Sequence, residues 1–96
     1  MILLNVTYRC KSGKREDFLG AIKAEGIDAA CRAEEGNIRY DYYYPTDDND
    51  TLFLLEKWRE EGAFAGHREQ AHFKRLGELK EEYVDDTAIE KYEVEG

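Results

Sequence analysis

Ninety-six residues with 22 acidic and 14 basic side chains carry a formal charge of −8. That length suits one domain spanning residues 1–96, and the acidic balance offers no basic stripe for nucleic acid. With 42% hydrophobic residues the chain can bury a core, which excludes wholesale disorder, and no apolar run nears the ~20 residues that span a bilayer.

Met1 runs directly into an apolar segment without a cleavage site, so no signal peptide is expected. Cys10 and Cys31 are then expected as free thiols in a reducing cytoplasm rather than as a disulfide. Ile2 to Arg9 is β-branched and aromatic and predicts a strand, its Leu3, Asn5, Thr7, Arg9 face turning polar at Asn5. Lys11 to Lys14 is a turn in which Ser12 is the expected helix cap. Helical spacing of Phe18, Ile22 and Ala29 predicts a helix from about Lys14 to Ala33, interrupted by Gly26 and stopped at Gly36.

Ile38 to Tyr44 predicts a second strand with Ile38, Tyr40, Tyr42 and Tyr44 on one face. The turn from Pro45 to Asp50 leads into a third strand, Thr51 to Trp58, hairpin-paired to the second. Arg59 to Tyr83 predicts a helix broken near Gly66, with His72, Leu76, Leu79 and Tyr83 on its inward stripe. Ala88 to Val94 closes the chain as a weakly alternating edge strand. The order β-α-β-β-α-β is the split, ferredoxin-like α+β pattern, an antiparallel sheet with two helices on one face. Its uncovered face calls for a second copy of the chain.

The stretch Glu56 to Phe73 holds the only tryptophan and both histidines. On a regular helix His67 and His72 stand about 140° apart, the wrong spacing for a zinc pair, and neither cysteine is positioned to help, so no metal is expected. Trp58 either caps the core or stacks on a flat ligand. Glu56 lies two residues earlier on the same strand face; in a cavity its carboxyl would need a partner or a raised pKa, and on the other face of the sheet it would be a dimer salt-bridge residue instead. Glu34 and Glu35 read as solvated caps. No glycine-rich phosphate loop is present, so nucleotide cofactors have no site, and no nucleophile elbow or Cys-His arrangement suggests a hydrolase.

Gly36-Asn37-Ile38-Arg39-Tyr40-Asp41, then Glu56-Lys57-Trp58, then Ala63-Phe64 with His67 and His72-Phe73, resemble the antibiotic biosynthesis monooxygenase family. Gly13-Lys14 with Phe18, and Arg32-x-Glu34 before Gly36, extend the resemblance over almost the whole chain. It implies a homodimer in which two sheets face each other as a dimeric α/β barrel, with a pocket between sheet and helices in each protomer. Members include cofactor-free monooxygenases that oxidise quinols or anthrones with molecular oxygen, and isomerases of small phosphorylated carbohydrates in the autoinducer-2 pathway. Haem-degrading relatives carry an axial histidine beyond the position of His72. Here Lys74-Arg75-Leu76-Gly77-Glu78 supplies none, which argues against haem.

On that resemblance the expected cofactor is none, and the expected substrate is a small quinol- or anthrone-like aromatic. His67 is the expected base, with His72 second, Trp58 and Phe64 as stacking walls, and Tyr40, Asn5 or Glu56 orienting the substrate. An isomerase of a small hydroxyketone would use the same histidines and Glu56, with Arg39 or Arg32 for a phosphate. A dimer that only binds an aromatic metabolite would keep the pocket without turnover. The acidic overall charge disfavours a strongly anionic ligand.

Overall fold

Alternation along the first strand sets the two layers. In β1 (Ile2–Cys10), Ile2, Leu4, Val6, Tyr8 and Cys10 are buried while the residues between them are not. The chain then forms α1 (Arg15–Ala24), α2 (Ile27–Arg32), β2 (Asn37–Tyr43), β3 (Thr51–Trp58), α3 (Glu61–His67), α4 (Ala71–Tyr83) and β4 (Val84–Glu93) in this computed structural model, which describes all 96 residues. The four strands pair antiparallel in the order β2-β3-β1-β4, so β4 is an edge. All the helices lie on one face, the ferredoxin-like arrangement. No helix is long and apolar enough to cross a membrane.

β1 and β3 are the central strands. Val6 is registered with Leu54, Tyr8 with Leu52, Leu4 with Glu56 and Ile2 with Trp58. These side chains meet Phe18 and Ile22 of α1, Ile27 and Cys31 of α2, and Leu76 and Leu79 of α4 in one core. Cys10 and Cys31 are both free thiols within it.

Four details differ from the sequence-based expectation, each for a local reason. Gly26 does more than kink a helix: at φ 68° it ends α1 and restarts the chain as α2. The restart re-phases the stripe, so Ile27 and Cys31 are buried where Ala29 was expected, and Ala29 is exposed. Ser12 caps nothing; Lys14 precedes α1 without a side-chain cap, and Gly13, at φ 74°, gives its N–H to Asp50 Oδ1. In β2 the register slips between Asn37 and Arg39, a bulge that leaves Ile38 exposed instead of beside Tyr40.

The fourth difference matters most for the site. Gly66 stays inside α3, and the chain breaks instead at residues 68–70, where Gln70 is extended. Hence α3 ends on His67 and α4 begins beside His72, and the two imidazoles do not follow one helical screw.

Gly36 is the position where backbone freedom is indispensable. It turns the chain into β2 at φ 90°, and its carbonyl accepts the Arg59 N–H at 2.8 Å. A Cβ added there would stand 2.5 Å from the Ala63 Cβ of α3. Gly36→Ala should therefore lower unfolding stability by about 3 kcal/mol, combining left-handed strain with overpacking. Urea unfolding checks this, and the neighbouring glycine variant Gly66→Ala, which meets open space, should cost little.

Candidate active site

The helices do not cover the sheet completely. Between β1, β4 and the α3–α4 pair lies a cavity of about 350 Å³. Leu4, Val6 and Tyr8 form its sheet wall, and Phe64, Phe73 and Leu76 its helical wall. Ile89 and Thr87 of the edge strand close one side. Few polar groups enter it: Glu56 from β3, Arg68, Lys80, Lys91 and Thr87. Apolar walls around a few aimed polar groups, at the small end of the roughly 300–1,000 Å³ range, describe a small-molecule pocket.

Glu56 is 6% exposed, and its Oε1 accepts the indole N–H of Trp58 at 3.1 Å. Trp58 itself is fully buried beside the imidazole of His67, with ring centroids 4.6 Å apart. Behind Glu56 runs a chain of hydrogen bonds. Nδ1 of His67 lies 2.6 Å from Glu34 Oε2, and Nε2 of His72 lies 2.7 Å from the same oxygen. An ionised carboxylate only accepts, so each of these nitrogens carries a hydrogen. In a neutral His67 the unprotonated Nε2 then faces Glu56 Oε1 at 3.9 Å.

This fold has solved counterparts. Residues 1–79 match the antibiotic biosynthesis monooxygenase family. The chain belongs to that family. It is 41% identical over 73 residues to a Bacillus subtilis protein named "Putative monooxygenase YcnE", covering 76% of this chain and 75% of that one. A conserved protein from Bacteroides thetaiotaomicron, titled a possible oxidoreductase, is 30% identical, with a TM-score of 0.86 over 97% of this chain and 96% of that one. PA3566 from Pseudomonas aeruginosa, 24% identical with a TM-score of 0.87 over 99% and 94%, shares the fold.

Within this antibiotic biosynthesis monooxygenase domain the sequence-selected residues separate into three groups. Glu56 and Phe64 line the cavity. His67, Trp58 and Tyr40 sit behind it, each no more than 2% exposed, and His72 is half-buried at the far side of Glu34. Asn5 is on the opposite face of the sheet, hydrogen-bonded to Glu90, and faces away from the cavity. Glu34 is the residue sequence reasoning missed. By sequence it reads as a solvated cap, and its one signal is its place in Arg32-x-Glu34, two residues before Gly36.

Cys31, Glu34, His67 and His72 bring potential ligand atoms within 4.8 Å of one another. The break at residues 68–70 and the re-phased α2 thus correct the expectation that the histidines diverge and that no cysteine stands near. By type the set suits zinc. As they stand, two of its contacts are hydrogen bonds of 2.6 and 2.7 Å, shorter than the roughly 3.3–3.7 Å between the ligand atoms of a tetrahedral zinc with bonds of about 2.0–2.3 Å. Burial pushes the Cys31 thiol up to about 12, so it is held neutral.

Burial dominates the other titrations too. It raises Glu56 from 4.5 to about 7, opposed by the Trp58 hydrogen bond, reinforced by the nearby Glu34 charge and eased by Lys80. Burial lowers His67, against the pull of Glu34. Because folding favours neutral Glu56, its contribution to stability is whole below pH 4.5 and is lost as pH rises through about 7. Glu56→Gln keeps an oxygen for Trp58 and removes that loss. The variant should gain up to about 3 kcal/mol over wild type at pH 8, and the gain should vanish near pH 4.5 in parallel melts.

Proposed function

We propose that this domain is a monooxygenase that uses molecular oxygen on a small electron-rich aromatic substrate of the quinol or anthrone type, without a cofactor. The observation that supports it is a carboxyl raised by burial to about 7, lining a largely apolar cavity with an imidazole behind it. The base role that the sequence suggested for His67 passes to Glu56, the group with access to the cavity. His67 becomes the positioning and proton-receiving group behind it, oriented by Glu34 and, through that same oxygen, His72.

With an anthrone the steps balance. Glu56 removes a proton from the ring CH₂, and the resulting anion passes one electron to oxygen. The carbon radical and superoxide combine to form a C–O bond, and the peroxide takes up a proton. Loss of the second C–H proton then breaks the O–O bond, forms the carbonyl and releases water. The substrate supplies all four electrons, so one oxygen atom enters the product and the other leaves as water. A dry cavity favours the first step, since water would otherwise stabilise the base and slow the transfer.

Oxygen uptake by metal-free protein with a panel of quinols and anthrones tests this. Glu56→Gln should lower turnover at least a hundredfold, and wild-type kcat/KM should rise with pH and level off above about 7. Full activity in Glu56→Gln, or no uptake with any member of the panel, would sink the reading.

We also propose a homodimer formed through the open sheet face. That face carries Leu3, Phe53, Leu55 and Tyr92 among polar residues, and one copy has nothing with which to cover it. Light scattering should give twice the 11.2 kDa chain mass, and Leu55→Glu should reduce it to a single chain.

A further inference from the structure

The charge of the cavity is opposite to that of the chain. A protein of net −8 places Arg68, Lys80 and Lys91 around a space whose only carboxyl is Glu56. These cations are not equivalent. Lys91 is spent on Glu61 at 2.6 Å. Arg68 lies at the surface over the Phe64 ring, with its guanidinium carbon 5.1 Å from the centroid. Lys80 is half-buried, its ammonium 5.7 Å from the centroid of the Tyr8 ring, and it pairs with no carboxylate although acidic side chains are abundant. Burial holds its pKa below the usual lysine value, opposed by the charge of Glu56. A half-buried ammonium held against an aromatic face without an ion-pair contact is costly, and a ligand anion would offset that cost.

The strand register says where the anion would sit. Glu56 is opposite Leu4 on β1, while Lys80 lies over Tyr8. Leu4 and Tyr8 are four residues apart, at most about 13 Å of strand. The reacting position and the anion therefore belong at opposite ends of a flat molecule sandwiched between the sheet wall and Phe64, Phe73 and Leu76. We propose that the cavity selects a fused-ring hydroxyaromatic carrying a carboxylate at the far end, with Lys80 as its counter-ion and Glu56 at the hydroxyl end. This names the substrate class within the reading above and rests on it for the role of Glu56.

Binding of stable naphthalene probes tests the class without any turnover. By isothermal titration calorimetry at pH 7 and low salt, 6-hydroxy-2-naphthoate should bind at least tenfold tighter than 2-naphthol. Lys80→Gln should erase that preference and leave 2-naphthol unchanged, while Lys74→Gln, an exposed lysine of α4 outside the cavity, should preserve it. Added salt should weaken only the carboxylate. Equal affinities for the two probes, a preference surviving in Lys80→Gln, or no heat from either would overturn the proposal. Glycerol 2-phosphate binding as well as the naphthoate would overturn the aromatic class in favour of an aliphatic phosphate. A carboxylate preference without oxygen uptake in the quinol panel overturns the monooxygenase reading alone.

Discussion

One carboxylate oxygen, Glu34 Oε2, receives hydrogens from two imidazoles, and the relation of three chain segments depends on it. Glu34 belongs to the turn before β2, His67 to the end of α3 and His72 to the start of α4. Hydrogen bonds to a charged acceptor contribute roughly 1.5–3 kcal/mol each, more where loss would leave a buried donor unpaired. Their larger consequence is orientation. By taking the Nδ1 hydrogen, Glu34 turns the lone pair of His67 toward Glu56 Oε1, the same oxygen that accepts the Trp58 N–H. Gly36 brings the turn against α3 closely enough for this to happen.

Much of the fold was legible because alternation and helical spacing report burial directly. β1 divides into the two faces its alternation predicts, and Glu56 and Trp58 share a face of β3 as expected, which the structure puts on the helix side with Leu54. The illegible parts are where backbone geometry overrides pattern. Arg68-Glu69-Gln70 contains no glycine or proline, yet the chain breaks there, while Gly66 remains helical. Beyond its place in Arg32-x-Glu34 before Gly36, nothing local distinguishes Glu34 from the exposed Glu35 beside it. Its partners lie 33 and 38 residues away, and only the assembled fold joins them. The cavity was illegible for the same reason, since its walls come from five elements and no single segment carries its outline.

Charge behaves in the same way. Summed over the sequence it describes solubility and long-range steering, not the inside of a cavity a few side chains wide. The abundant acids mostly face water or pair with surface cations, as Arg75 does with Glu25 and Glu78. Of the three taken out of water, Asp28 is neutralised by Lys23 and Arg32, and the two that count chemically are Glu34 and Glu56. They serve opposite ends, because Glu34 is held by two donors while Glu56 has one donor and an apolar surround.

Val84 both ends α4 and opens β4, so no loop separates the helix that carries Lys80 from the strand that carries Thr87, Ile89 and Lys91. Helix and strand form a single rigid ruler. Adding or removing one residue at that junction would turn every strand side chain to the other face, exchanging Ile89 for Ala88 or Glu90 at the cavity wall. The shape of the cavity can therefore be altered by substitution along the strand, whereas a change of length at the junction rewrites the whole wall at once.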